Sequence, residues 1–294
     1  MSRAMSVRAE LDAHDGAAVR RRNVRRLEKA FLTVLMVTIA ILMFLPFLWM
    51  ISSSFKPYRE ILALTPTIIP KKFTLVNYQT ILTKLPFLRY FLNSFGISAT
   101  ITLAVLFTSS LCGYVFAKFQ FAFKEVFFTL IVSSMMVPFA VIVLPLYLFV
   151  ARMGLVNTYV GLILPSMLSG FGIFLMRQFM EGIPSELVDA GRIDGASDMW
   201  IYWKVMIPLS LNALSALAVF TFLWAWNSLW WAVMIITRPD MRPLPLGIAS
   251  LAWEFGVRTD LVITGAAIAV VPVLILFAMM TRTVVQGVAL TGMK

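Results

Sequence analysis

The segment from Glu181 to Pro208 is a long polar stretch in an otherwise apolar chain, and its residue types are the ones that could do chemistry. It carries the carboxylates Glu186, Asp189, Asp194 and Asp198, with Arg192 and Lys204 among them and Trp200, Tyr202 and Trp203 following. His14 is the only histidine of the chain and Cys112 the only cysteine, so a zinc site of the usual kind and Ser-His or Cys-His catalysis lack their ligands and bases. What the segment offers is recognition. Pro184 suits a first helical turn, and Glu186 beside it complements the helix dipole. Ile183, Leu187, Ala190 and Ile193 follow at helical spacing. Asp194-Gly195 predicts a turn, because glycine takes a positive φ at little cost. Ser197 is expected to cap a second helix, Asp198 to sit in its first turn, and Pro208 to end it. The product is a helix–turn–helix with an aromatic face that includes Trp200, Trp203 and Val205. Such a hairpin either lies on lipid headgroups or enters a groove on a partner protein, and amphipathicity alone does not separate the two.

The elements that must hold this loop follow from composition. The chain has 294 residues, 60% hydrophobic and 13% charged, with a mean hydropathy of +0.88. Soluble domains carry roughly 45–50% apolar and about 25% charged residues, so the main solvent of this chain is lipid. Six runs reach the roughly 20 apolar residues that a membrane-crossing helix needs, at about 30–52, 90–116, 126–150, 158–180, 211–237 and 262–285. The fold class expected is all-α and polytopic. Orientation follows the basic residues. With the N-terminus inside, 15 Lys and Arg fall on the inner side, span ends included, against 10 outside. The dense cluster Arg20-Arg21-Arg22-Asn23-Val24-Arg25-Arg26 before the first run decides for N-in and C-in. Residues 1–29 are then a basic cytoplasmic tail, 30–285 the transmembrane domain, and 286–294 a cytoplasmic tail. The net charge of +11, placed beside an apolar run, points to anionic lipid rather than nucleic acid.

The expected spans hold almost no charge in their middles; Arg152, Arg177 and Arg282 lie near the ends. Ion-coupled carriers place ionisable groups in the bilayer, so a proton pump, a voltage sensor and a sodium symporter are disfavoured. Pro138, Pro145, Pro165 and Pro272, with Gly161, Gly170 and Gly172, interrupt several spans. These breakers fit either ordinary bundle packing or helices that swing during transport.

The polar loop also resembles the signature, called the EAA loop, of the membrane-spanning permease subunits of bacterial ATP-binding-cassette importers. The family pattern is Glu-Ala-Ala, three residues, Gly, nine residues, then Ile-x-Leu-Pro. Here Asp189-Ala190-Gly191, Gly195 and Val205-Met206-Ile207-Pro208 stand at that spacing. The flanking Ile183-Pro184-Ser185-Glu186-Leu187 and Ile193-Asp194-Gly195-Ala196-Ser197 look like the carbohydrate branch of the family. Ser54-Phe55-Lys56, Phe73-Thr74-Leu75-Val76-Asn77-Tyr78, Asn93-Ser94, Ala225-Trp226-Asn227 and the tail 286–294 are similar to those of maltose-type second permeases, so the resemblance spans about residues 27–294.

The resemblance implies a type I importer permease fold and a complex with a second permease, two ATPase subunits and an extracytoplasmic solute-binding protein, in a bacterial inner membrane. It implies that the loop docks in a cleft of the ATPase through Glu186, Asp189, Ala190, Gly191, Asp194, Gly195, Ala196, Val205, Ile207 and Pro208. Asp189 takes the place of a family glutamate, one methylene longer. The chain has no Gly-x-x-x-x-Gly-Lys-Ser/Thr sequence, so it is expected to be non-catalytic, to bind no cofactor, and to rely on ATP and Mg held by the partner ATPase. The solute expected is a sugar, with glycerol-3-phosphate or a glycerophosphodiester as the alternative. A carrier or channel that works without ATP is the alternative of another class. Trp226 and Asn227 are candidates for the solute pathway, against a lipid-facing role for the aromatics of this run. Trp253 and Glu254, in loop 238–261, are candidates for contact with the binding protein, against a merely solvated loop.

Overall fold

The computed structural model describes the backbone of residues 2–63, 65–254 and 258–291, and the side chains of 27–63, 65–83, 85–252 and 258–275. Among these there is no strand. In chain order the helices are α1 (Ser2–Ser54), α2 (Tyr58–Ile61), α3 (Val76–Lys84), α4 (Phe87–Lys118), α5 (Lys124–Ser134), α6 (Phe139–Arg152), α7 (Tyr159–Ile163) and α8 (Gly170–Glu181). There follow α9 (Glu186–Ile193), α10 (Asp198–Ile201), α11 (Ile207–Leu209), α12 (Leu211–Trp226), α13 (Trp230–Ile235), α14 (Leu244–Glu254) and α15 (Thr259–Thr291). Two stretches, Leu27–Ser54 of α1 and all of α4, are single apolar helices long enough to cross a bilayer.

Three of the apolar runs are bent rather than straight. Run 126–150 folds as α5 and α6, which meet at 101° where Pro138 breaks the ladder. Run 158–180 bends by 41° between the short turn ending at Ser166 and α8. The chain turns by 79° at Ser210 on entering α12, and run 211–237 then breaks again at 227–229. A continuous apolar run says that a segment is in lipid, and the prolines and glycines inside it decide where it bends.

At the centre, α4 packs on α8 with the two backbones in contact. A Cβ on Gly113 would lie 2.6 Å from Met176 Cβ and 2.9 Å from the Arg177 amide nitrogen, and one on Gly172 would lie 2.3 Å from Ser109 Oγ. Small residues bring membrane helices this close, where dispersion replaces the absent hydrophobic drive. A core of Ile101, Val105, Met176, Met180, Ile201, Tyr202, Met206 and Leu217 continues from this crossing into the 181–210 loop. A second cluster of Phe87, Tyr90, Trp226, Leu244, Leu251 and Leu261 closes the far end of the bundle.

That far end also explains two sequence motifs. Asn77 Nδ2 donates to the carbonyls of Ser54 (3.1 Å), the last residue of α1, and of Lys56 (2.9 Å), just beyond it. Phe55 stacks on Phe73 at 5.0 Å, and Lys56, buried, donates to Ser53 Oγ and the Thr67 carbonyl. Glu60 gathers the strand of chain beneath, accepting from the Lys71 amide (2.8 Å), Thr67 Oγ1 (3.0 Å) and the Lys72 amide (3.2 Å). The Lys71 amide above all, with those other donors, holds its carboxyl below the usual glutamate range. A depressed pKa in the folded state stabilises above the unfolded value and is lost as pH falls through the folded one. Protection of the Lys71 and Lys72 amides from hydrogen exchange is therefore expected to be full at neutral pH and to fade only as the pH falls below the ordinary glutamate range. Glu60→Ala should remove it at every pH, and protection in that variant equal to wild type would refute the assignment.

Candidate functional site: the 181–210 loop and the central cleft

The loop is seated by α4. Lys118, at the end of that helix, donates through Nζ to the Ile183 carbonyl and to Ser185 Oγ (3.3 Å). Val188 and Ile201 turn into the core, so α9 lies with one face on the bundle and the other free. The turn after α9 is a full Schellman closure: Ala196 N–H bonds to the Gly191 carbonyl (2.9 Å) and Gly195 N–H to that of Arg192 (3.0 Å). Gly195 has φ +80°, as the Asp-Gly pair predicts. Ser197 Oγ accepts the Trp200 amide at 3.3 Å, the expected cap of α10.

One side chain joins the two halves of the hairpin. Arg192 donates from Nε (3.0 Å) and Nη2 (2.9 Å) to Asp198 Oδ1, sits 3.6 Å from Asp189 Oδ1, and lies over the Phe119 ring at 5.3 Å. The Asp198 hydrogen bond raises the pKa of a guanidinium that is already always charged. Its spacing to Asp189 and Asp198 is legible in the sequence, although the motif does not single it out. Nearby, Arg177 is buried, donates to both oxygens of Glu125 (2.9 and 3.3 Å) and lies 3.8 Å over Phe128. It ties the start of α5 to α8.

The residues expected to dock divide into two groups. Glu186, Asp189, Ala190, Asp194, Gly195 and Pro208 are exposed, with Ile193 beside them 86% exposed at the tip. Gly191, Ala196, Val205 and Ile207 are half-buried, and the last three pack against the core. Gly191 has a packing reason: a Cβ there would lie 3.0 Å from Ile201 Cγ1. Pro208 does not end the second helix. After α10 a π turn (Tyr202–Met206) leads into α11, which contains Pro208, and the direction changes at Ser210. The wider turn relieves the clash a proline ring makes with the carbonyl four residues back in a regular helix. Trp203 stacks on Phe107 of α4 at 6.4 Å, and both it and Trp200 remain half exposed.

A second feature is a cleft of about 900 Å³ among α4, α6, the break before α8 and the break after α12. Asn227 lines it, with Trp224, Trp230, Trp231, Ser166 and Ser169. Trp226 does not: it is 2% exposed, between Phe91 (5.5 Å) and Phe222 (5.7 Å). Loop 238–261 is not a solvated loop along its length. Its apolar part forms α14, with Leu244, Leu246, Ser250 and Leu251 buried and Gly247 so close to the Tyr90 ring that a Cβ would lie 2.3 Å from it. Asn93 Nδ2 donates to the carbonyls of Asp240 and Arg242 (both 3.1 Å) and Ser94 Oγ accepts the Leu244 amide (2.7 Å), which clamps the loop to α4. Trp253 and Glu254 end α14, and their side chains lie outside the described residues.

Comparison with known proteins places this architecture. Residues 109–289 match the model of the family described as binding-protein-dependent transport system inner membrane component. The chain is 35% identical over 266 residues to the arabinooligosaccharides transport system permease protein AraQ of Halalkalibacterium halodurans, covering 90% of this chain and 95% of that one. It is 31% identical to the lactose transport system permease protein LacG of Rhizobium radiobacter (84% and 90% covered). It is 32% identical to the sn-glycerol-3-phosphate transport system permease protein UgpE of Escherichia coli (87% and 93% covered). The fold is similar to that in the crystal structure of a bacterial ABC transporter involved in the import of the acidic polysaccharide alginate, with a TM-score of 0.76, 21% identity, and 87% of this chain and 96% of that one covered. With its polar hairpin seated on a lipid-suited helical bundle, the chain belongs to the family of binding-protein-dependent transport system inner membrane components.

Proposed function

We propose that this chain is one of the two permease subunits of an ATP-driven, binding-protein-dependent sugar importer in a bacterial inner membrane. The exposed face of the 181–210 hairpin carries the reading: Glu186, Ile193 and Asp194 stand exposed, with Asp189 beside Arg192, on a hairpin that Lys118, Arg192 and the core hold in place. A hairpin meant only for lipid headgroups has no need of such bracing. In this reading the chain crosses the membrane six times with both ends in the cytoplasm and the hairpin on the ATPase. It catalyses no reaction itself; ATP and Mg are held by two ATPase subunits. A second permease and an extracytoplasmic binding protein complete the machine. The names of the arabinooligosaccharide and lactose relatives support a sugar, and that of the glycerol-3-phosphate relative keeps the alternative solute in view.

The test is a pulldown of the tagged chain from native membranes in mild detergent, with mass spectrometry of what remains bound. A second permease, an ATPase and a solute-binding protein are expected, the last with a carbohydrate ligand. Recovery of this chain alone at normal yield would overturn the reading and favour a carrier that works without ATP.

A further inference from the structure

We infer that segment 67–72 is an interfacial anchor, which seats Ile68 and Ile69 at the edge of the bilayer and places Lys71 and Lys72 on anionic phospholipid headgroups. The first support is depth. The apolar part of α1, Leu27–Ser54, has 28 residues. At 1.5 Å per residue it is about 42 Å long, against a hydrocarbon core about 30 Å thick, so its last few residues stand among the headgroups. Ser52 is one of them, and its Oγ donates to the Ile68 carbonyl. Trp49, about one turn earlier, is of the type enriched at that boundary. The bond therefore fixes Ile68 at headgroup level, on the outer side in the orientation proposed above.

The second support is presentation. Two ionisable groups with no other role in the fold brace this short stretch. Lys56 is buried and donates to the Thr67 carbonyl, and Glu60 takes the Lys71 and Lys72 amides and Thr67 Oγ1. Just beyond, the Thr74 amide bonds to the Phe55 carbonyl at 2.9 Å. What the bracing turns outward is apolar: Ile68 is 60% and Ile69 79% exposed. Two isoleucines held rigidly in water gain nothing, whereas against the acyl boundary they bury apolar area at little ordering cost.

The third support selects the occupant. Lys71 and Lys72 are exposed directly beside the isoleucines, and among the described residues neither ammonium forms an ion pair with a carboxylate. Lysine is depleted from the cores of protein–protein interfaces, which argues against a second subunit seated on this tip. Joined to apolar side chains at headgroup depth, lysine is a residue that takes acidic lipid.

The experiment replaces Ile69 by the photoreactive p-benzoyl-phenylalanine in the full chain, together with the partners that co-purify, in vesicles of equal parts phosphatidylethanolamine and phosphatidylglycerol. After irradiation, mass spectrometry identifies what is joined to that position. A phospholipid adduct is expected, with phosphatidylglycerol favoured over phosphatidylethanolamine by about fivefold or more. Lys71→Gln combined with Lys72→Gln is expected to remove the preference while the lipid adduct itself remains. An adduct with another protein would overturn the inference and make the segment a subunit contact. No adduct would overturn it and leave the segment in water. A lipid adduct with no headgroup preference, or with a preference that survives the double substitution, would overturn the assignment to anionic lipid. None of these results bears on the pulldown, so failure here leaves the importer reading standing.

Discussion

Gly195→Val is expected to cut ATP-driven uptake by about tenfold or more without removing the chain from the membrane. The reason is local. Gly195 has φ +80°, a conformation that costs an L-residue roughly 1–2 kcal/mol and a β-branched one more. The two hydrogen bonds that close the Schellman turn depend on it, and with them the relation of α9 to α10. A penalty of that size is a factor of roughly 5–30 in the population of the native turn. No atom lies within 4 Å of where a Cβ would be, so the effect comes from backbone strain and leaves the bundle unharmed. Gly195→Asn should retain most of the uptake, since asparagine visits the left-handed region readily. Uptake and substrate-stimulated ATP hydrolysis by the purified complex check both variants. Wild-type coupling in the valine variant would mean that the hairpin does not transmit anything.

Gly113→Leu is expected to have the largest effect on stability. Its Cβ alone would approach Met176 Cβ to 2.6 Å and the Arg177 and Met176 backbones to 2.9 Å, and backbone has nowhere to yield. Helices α4 and α8 would have to separate, which opens the core and shifts Arg177 away from Glu125. Overpacking of this kind costs about 1–3 kcal/mol or more, and for a chain of this size that lowers Tm by about 2 °C or more. Fluorescence-detected size exclusion after heating in detergent reads the shift. Gly96→Ala, with nothing within 4 Å of the added methyl, should leave Tm within about 1 °C. A leucine variant as stable as that control would show that the two helices do not touch at Gly113.

What the sequence made legible follows from how local each signal is. The turn and the cap of the hairpin are readable, since Asp194-Gly195 and Ser197 act through their own neighbours, whereas the π turn that carries the chain past Pro208 is not. The apolar runs were readable as membrane material, but not as bent pairs, because a proline marks a break without giving its angle. In α12 the residues are largely apolar all round, so periodicity offers no polar face to choose by; the sequence points to Trp226 for the pathway, and packing buries it and leaves Trp224 in the cleft instead. Loop 238–261 looked solvated because of its prolines and charges. Its burial depends on Gly247 meeting Tyr90, a contact 157 positions apart in the chain that no local pattern announces. Arg192 stands at a legible spacing but outside the motif: its role is to bind Asp198 across a turn, and a motif that marks spacing does not mark the clamp.

The long helix α4 has one further property. It runs 32 residues with no proline inside, unlike α1, α6 and α15, and is gripped at both ends, by Ile183 and Ser185 at Lys118 and by residues 240–244 at Asn93 and Ser94. Mechanically it is a rigid lever about 48 Å long. A tilt of about 5° at the hairpin end sweeps the other end through about 4 Å, a distance comparable to the radius of a small solute. A tilt imposed at the hairpin end would therefore be carried along the whole length of α4 to the contacts at Asn93 and Ser94.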